Sequence, residues 1–227
     1  MKRMCRYLPL LYVALLCILP VEAQSTVDIN MGFGSPQDSA NAGLDSSSAS
    51  LSPCNSSTPT GTCVTTPALG GFMMGFGANA MLWKKFGIGG EANFQATKPN
   101  YADLSAADGF VLKSRVTLYD FNGIYQPVNT EKATLQLIGG IGGANIKFYQ
   151  GMATNSLIGN SAYGNYAIAS ANHFQIHAGV GVQLYVHGNF FIRPQFDFHY
   201  VPNFIQFGHN YVTQEMVWVG YSIGERQ

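Results

Sequence analysis

The clearest hydrophobic pattern in the chain covers residues 173–201. Every second residue from Phe174 to Val186 is apolar, and the residues between them are small or polar. Side chains alternate between the two faces of a strand, so this pattern predicts one long two-faced strand. His187-Gly188-Asn189 has the composition of a tight turn, and a second alternation from Phe190 to Tyr200 follows it. The two predicted strands are roughly 11–13 residues long, enough to cross a bilayer when tilted.

Alternation elsewhere predicts six more strands, which makes an antiparallel barrel of eight. They are Val27–Gly34, Leu69–Leu82, Phe86–Ala96, Val111–Tyr125, Ala133–Tyr149 and Asn210–Ile223. Polar loops at 35–68, 97–110, 150–172 and 202–209 alternate with short turns. An even number of strands, with short turns at one end and long loops at the other, is typical of up-and-down barrels in the bacterial outer membrane.

Two of these strands have an ambiguous register. If Val116 and Leu118 face outward, Lys113 and Arg115 face inward, and Asp120 then faces lipid at a cost in free energy. A bulge beside Asp120, or a position near the membrane interface, would each resolve the conflict. The glycine-rich residues 139–143 blur the alternation in the next strand, and neither ambiguity is settled by the pattern.

Composition helps to decide between a membrane barrel and a soluble lipocalin-like barrel. The chain is 47% hydrophobic and only 11% charged, against about 25% charged for soluble domains. The face opposite the apolar one consists mainly of Gly, Asn and Gln, whereas a soluble barrel would carry charge on its outside. Both observations favour the membrane barrel. Aromatic residues near the predicted strand ends fit two interfacial girdles. The lower girdle is Trp83, Phe86, Tyr125, Phe190 and Tyr221, and the upper is Phe110, Phe148, Tyr149, Tyr200 and Tyr211.

The first residues predict a secretion signal. Lys2, Arg3 and Arg6 precede an apolar segment from Leu8 to Leu19, and Val21-Glu22-Ala23 offers a cleavage site. We therefore divide the chain into a signal peptide, 1–23, and a barrel domain, 24–227, with 35–68 as its long outer loop. The barrel domain has 9 Lys and Arg against 11 Asp and Glu, which excludes the basic field of a nucleic-acid-binding protein.

Two cysteines follow the predicted signal, Cys54 and Cys63. Their proximity in an exported chain predicts a disulfide within the loop 35–68. A metal site is the weaker interpretation, because two cysteines with no neighbouring histidine do not complete a tetrahedral site.

The predicted inward face carries a group of ionisable residues. They are Glu91, Lys113, Arg115, His173, His177, Arg193, Asp197 and His199. The lumen of an eight-stranded barrel is narrow enough for side chains to fill, so these residues predict a polar cluster of ion pairs. Asp197 and His199 could alternatively form a general base with its orienting carboxylate, and the three histidines could bind a metal. We expect no catalytic residue, no metal and no cofactor.

On this strand pattern the chain resembles the small eight-stranded bacterial outer-membrane β-barrels of the OmpA transmembrane-domain type, over about residues 24–227. The resemblance implies a location in the outer membrane, contact with its lipids and insertion by the barrel assembly machinery. It implies a structural or surface-interaction role, with a possible surface ligand on the loops and no nucleic acid. A narrow pore, a barrel that transports hydrophobic ligands, and a lipid-modifying or proteolytic enzyme are the alternatives. The chain ends Tyr221-Ser222-Ile223-Gly224-Glu225-Arg226-Gln227, without the terminal aromatic residue common in the family.

Overall fold

The structure, a computed structural model, consists of β-strands. It describes residues 26–37, 52–53, 63–64, 69–98, 100–104, 110–152, 166–204 and 210–224. The strands are β1 (Val27–Gln37), β2 (Ser52–Pro53), β3 (Cys63–Val64), β4 (Met73–Met81), β5 (Phe86–Gln95), β6 (Asn100–Leu104), β7 (Phe110–Asn129), β8 (Ala133–Met152), β9 (Tyr166–His187), β10 (Phe190–Tyr200) and β11 (Tyr211–Ile223). Among these described residues there is no helix long and apolar enough to cross a membrane.

Eight of the strands close into a ring. Its order is β1, β4, β5, β7, β8, β9, β10 and β11, and β11 pairs with β1 to complete it. The neighbouring barrel strands are all antiparallel. The predicted eight-stranded antiparallel barrel is therefore confirmed. The short strands β2, β3 and β6 lie in two of the predicted loops and extend the sheet from β7.

The apolar face of the barrel points outward, as the alternation in β9 predicts. Phe174, Ile176, Val180 and Val182 are exposed, whereas Gln175, His177 and Gln183 on the inward side of β9 are buried. The apolar outer positions of β9 run from Val186 to Phe174. At about 3.3 Å per residue and a tilt near 40°, they cover a height of about 30 Å. This matches the thickness of the hydrocarbon region of a bilayer.

The long loops and the short turns lie at opposite ends of the barrel. We call the end with residues 82–85, 130–132 and 188–189 the turn end, and the other the loop end. Strands β7, β8 and β9 have 20, 20 and 22 residues and reach beyond the others at the loop end. Part of the segment 150–172, which we expected to be loop, is therefore strand, because β9 begins at Tyr166.

The structure settles the register of the strand Val111–Tyr125, which the sequence pattern left open. Ser114, Val116 and Leu118 are buried inside the barrel, and Asp120 is buried with them. Tyr119 and Phe121 are exposed on the outer face. The pairing of β7 with β8 is regular from Phe110 to Tyr125, so neither a bulge beside Asp120 nor an interfacial Asp120 is needed. At the loop end the inward side chains of β7 are mainly apolar, whereas we expected polar side chains on the inner face.

The register of β8 also continues unbroken through its glycines. Gly140 and Gly142 lie on the inward parity of β8. A Cβ atom at Gly142 would collide with the backbone oxygen of Tyr119, so glycine here permits the close approach of β7.

The aromatic residues of the lower girdle are all exposed at the turn end. Phe86 stacks on Tyr125 with ring centroids 4.9 Å apart, and Phe190 meets Tyr221 at the same distance. In the upper girdle Tyr200 and Tyr211 are in contact. Phe148 does not belong to it, because its ring packs inward against the apolar cluster described below.

Candidate functional site

The interior of the barrel contains an ion pair that crosses it. The Arg193 guanidinium donates from Nη2 to Glu91 Oε1 at 2.9 Å and from Nη1 to Gln136 Oε1 at 2.9 Å. It also lies 5.4 Å from the ring centroid of Trp218. Arg193 and Trp218 are fully buried. Because β10, β5 and β8 each contribute one side chain, the guanidinium ties together strands that are not neighbours in the ring.

A second carboxylate continues this network towards the loop end. The Gln195 amide donates to Glu91 Oε2 at 3.0 Å and to Asp197 Oδ1 at 2.9 Å. His177 Nε2 lies 2.9 Å from the same Asp197 oxygen, and His177 Nδ1 lies 3.0 Å from the Asn122 side-chain oxygen. Both ring nitrogens thus face oxygen acceptors, which matches an imidazolium with two N–H donors. A positive His177 would help to balance the buried carboxylates.

His199 and Asp120 lie beside His177. Its ring stacks on that of His199, with centroids 4.7 Å apart and planes 9° apart. His199 Nε2 contacts Gln214 Oε1 at 3.2 Å, and His199 Nδ1 is 3.9 Å from Asp120 Oδ2. Asp120 Oδ1 accepts from the Gln175 amide at 2.7 Å. The sequence left the side of Asp120 open and did not include it among the lumen residues, yet it is a member of this site.

A further hydrogen-bonded group lies nearer the turn end. The Gln183 amide nitrogen donates to Asp28 Oδ2 at 3.2 Å and to the Tyr185 hydroxyl at 2.9 Å. Ser222 Oγ donates to the other Asp28 oxygen. The Gln136 amide donates to Gln183 Oε1 at 2.7 Å, which joins this group to Arg193. A continuous hydrogen-bonded network therefore runs from Asp28 to His177, and we call it the polar lumen network.

The lumen beyond this network, towards the loop end, is apolar. A buried cluster forms there, which we call the apolar cap: Leu69, Met73, Val116, Leu118, Ala144, Ile146, Val201, Phe204, Val212, Met216 and Trp218. Leu69 and Phe204 come from outside the barrel strands and fold into its mouth. The interior at the loop end is thus mainly apolar, with Gln95 and Ser114 buried beside the cluster.

The structure brings together five of the eight residues predicted for the lumen: Glu91, His177, Arg193, Asp197 and His199. His173 is half-buried at the level of the apolar cap, and its ring meets Phe204 edge-on at 5.7 Å. Lys113 and Arg115 share the outward parity of Tyr119, so they do not join the network, and their expected inward position is corrected. The physical reason is the reversed pattern in β7, where the apolar Val116 and Leu118 point inward.

Among the described side chains no group of three or more His, Cys, Asp or Glu is arranged to hold a metal ion. The predicted disulfide involves Cys54, which lies outside the described residues, and it stays a prediction. Residues 1–25 are also outside them, so the signal peptide stays a prediction as well.

Comparison with solved structures finds several similar chains. A major outer membrane protein from Thermus thermophilus is 9% identical over 88% of this chain and 99% of its own, with a TM-score of 0.56. The attachment invasion locus protein Ail of Yersinia pestis, in complex with the heparin analogue sucrose octasulfate, is 13% identical over 88% of this chain and 97% of its own, with a TM-score of 0.47. OprG from Pseudomonas aeruginosa is 15% identical over 89% and 97%, with a TM-score of 0.46.

No family model matches the chain, and no curated protein matches it. At 9% identity and a TM-score of 0.56, the Thermus thermophilus structure shows the fold alone. The closed eight-stranded sheet, the apolar outer face and the polar interior define the chain as a small β-barrel of the bacterial outer membrane.

Proposed function

We propose that this protein is a closed outer-membrane barrel with a structural or surface-interaction role, and that the polar lumen network is a plug. The observation that carries the proposal is the contact of Arg193 with Glu91 across the barrel, beneath the apolar cap. The charged and amide side chains around it are no more than 4% exposed. Ions that crossed the lumen would have to separate these side chains, and each would then lose its hydrogen-bond partners.

The outer surface supports the location in the membrane. Its apolar band contacts lipid acyl chains, and its two ends reach the interfaces. We infer that interactions with other molecules use the loop end, because the long polar loops lie there. Their composition, rich in Ser, Thr and Asn, names no ligand. Insertion by the barrel assembly machinery belongs to this proposal too.

Planar-bilayer recording on refolded protein tests the closed lumen. We expect a bilayer containing the wild-type barrel to stay silent. The double variant Glu91→Ala/Arg193→Ala removes the side chains that cross the lumen and should produce discrete conductance steps if it folds. Steps of uniform size from the wild-type protein would overturn the proposal and favour a narrow pore. Folding of each variant is checked by its gel mobility with and without heating.

A further inference from the structure

Four of the nine Lys and Arg residues that follow residue 23 gather on one outward patch at the loop end. Arg115 on β7 and Lys147 on β8 are direct register partners, and Lys113 is the partner of Tyr149. Lys98 Nζ lies 4.0 Å from the centroid of the Tyr149 ring. We call Lys98, Lys113, Arg115 and Lys147 the basic patch.

The arrangement of the basic patch is unfavourable for an isolated barrel. Like charges directly opposite each other on neighbouring strands destabilise a sheet. Within the described part of the chain, the ion pairs join lumen side chains, and none includes a member of the patch. Arg115 Nε is buried without a hydrogen-bond partner there. The patch therefore fits an anion supplied from outside the chain.

The height of the basic patch on the barrel matches lipid headgroups. On β7 the outward residues run from Phe121 through Tyr119 and Thr117 to Arg115. Arg115 thus lies about 13 Å along the strand beyond Tyr119, the last apolar residue of the series. On β8 Lys147 follows Asn145 in the same way, and the Asn145 amide bonds to Asn172 at 2.6 Å outside the barrel. Phosphate groups of the outer leaflet lie at this boundary.

An apolar groove lies below the basic patch on the same side of the barrel. Its volume is about 440 Å³. Ala78, Gly90 and Ala92 form its floor, and Phe76, Tyr119 and Phe121 are its outward aromatic residues. Phe94 connects the groove to the patch, because its ring stacks on Phe76 at 6.2 Å and lies 5.5 Å from the Arg115 guanidinium.

We propose that the basic patch and the groove together bind one phosphorylated, multiply acylated lipid of the outer leaflet. The phosphate is held by Arg115 and Lys147, with Lys98 and Lys113 beside them, and one acyl chain lies in the groove between Phe76 and Phe121. Charge complementarity selects the phosphate, and the position within the lipid-facing surface selects the acyl chain. The inference rests on the membrane location and does not depend on a closed lumen.

The headgroup half is tested by native mass spectrometry of the full chain in phosphatidylcholine nanodiscs titrated with diphosphorylated lipid A. We expect one retained lipid per barrel. Arg115→Gln/Lys147→Gln should weaken retention roughly 30-fold, since each basic residue at an anionic surface contributes about a factor of five. Lys84→Gln/Lys85→Gln makes the same charge change at the turn end and should have no effect. Equal losses in the two double variants would mean attraction by net charge alone and would overturn the site.

The acyl half is tested by filling the groove. A Cβ at Gly90 meets only the Asp120 backbone oxygen, at 3.4 Å, so Gly90→Leu should fold. Gly123→Leu is the matched control, because Gly123 also faces outward, with the Gly139 oxygen 3.6 Å away, but does not line the groove. We expect Gly90→Leu to reduce retention of lipid A and Gly123→Leu to leave it unchanged.

Three other probes distinguish the sources of phosphate. The wild-type protein should not retain dephosphorylated lipid A. Phosphatidylglycerol should bind more weakly than diphosphorylated lipid A. Inorganic pyrophosphate should not displace bound diphosphorylated lipid A. If pyrophosphate displaced lipid A and Gly90→Leu did not change its retention, the patch would be a simple phosphate site, and the lipid assignment would be overturned. Equal retention of the dephosphorylated lipid would overturn the role of the basic patch.

Discussion

Glu91 and Arg193 form an ion pair of 2.9 Å across the full width of the barrel. Their strands, β5 and β10, are opposite each other in the ring, with three strands between them in either direction. Both side chains are almost completely buried. Because each buried charge would be uncompensated without the other, the pair holds opposite walls of the barrel together across the lumen.

Removing Glu91 should strongly destabilise the barrel. Glu91→Ala leaves the Arg193 guanidinium buried without its paired carboxylate, beside the neutral amide oxygens of Gln136 and Asn79, which should cost about 3–5 kcal/mol. Urea unfolding in lipid vesicles measures this loss. Glu215→Ala is the control, since Glu215 is an exposed carboxylate on the outer face, and it should change stability by less than about 0.5 kcal/mol. The double variant Glu91→Leu/Arg193→Met should recover most of the loss, and an unchanged midpoint for Glu91→Ala would contradict the plug.

Asp197 should be a structural residue. Asp197→Ala removes the acceptor of both His177 Nε2 and the Gln195 amide, so two buried donors lose a partner. We expect a loss of about 1–3 kcal/mol in unfolding free energy, with any binding at the loop end intact. Asp197→Asn keeps one oxygen and should cost less. If Asp197→Ala instead had the wild-type unfolding midpoint and abolished an activity, a catalytic role would replace the structural one.

The outward face of β9 is tested at Val180 and Val182. Val180→Arg places a charge near the middle of the lipid-facing band and should cost about 2–4 kcal/mol. A fluorescent label at Val182 distinguishes lipid from a protein core. We expect quenching by a lipid-soluble quencher and protection from a water-soluble one, whereas a label at Lys84 should show the opposite. Protection of the Val182 label from both quenchers would contradict the membrane position.

Glycine on the inner wall makes room for Trp218. A Cβ at Gly32 would lie 2.7 Å from the Trp218 ring, so Gly32→Val should overpack the lumen and cost about 1–3 kcal/mol. Gly90→Val is the control, because Gly90 faces outward with space around it. Unfolding midpoints of the two variants compare them directly. If Gly32→Val were as stable as Gly90→Val, the Trp218 ring would not pack tightly against Gly32.

Cys54 and Cys63 should be oxidised to a disulfide in protein isolated from cells. Mass spectrometry after thiol labelling without reduction measures this, and labelling of both cysteines would reject the pairing. We expect the double variant Cys54→Ser/Cys63→Ser to keep the barrel, because the residues that form the polar lumen network all lie on the eight barrel strands.

The sequence determined the strands and the face of most of them. In β9, seven apolar residues alternate with small or polar ones over residues 174–186, so one face had to be apolar throughout. The other face consists mainly of Gly, Asn and Gln with scattered charges, fewer than the outside of a soluble barrel carries, and this favoured lipid outside and a polar lumen. Local periodicity carries this information, because successive side chains point to opposite sides of every strand.

The tertiary structure decided the register of β7 and the partners of the lumen residues. Val116 and Leu118 look like lipid-facing residues, yet they pack under Leu69 and Phe204, which come from distant parts of the chain. The alternation of Tyr119, Phe121 and Tyr125 was the available signal for Asp120, but the apolar residues before it masked that signal. Periodicity defines two faces without saying which is inside when both are apolar.

Closure of the ring decided the rest. Glu91 and Arg193 are 102 residues apart, and nothing local makes them partners. They meet because β11 pairs with β1 and brings β5 and β10 to opposite sides of a lumen narrow enough for two side chains to span. The same closure places Lys98, Lys113, Arg115 and Lys147 together on the outside, since only the register of β7 against β8 sets Arg115 beside Lys147.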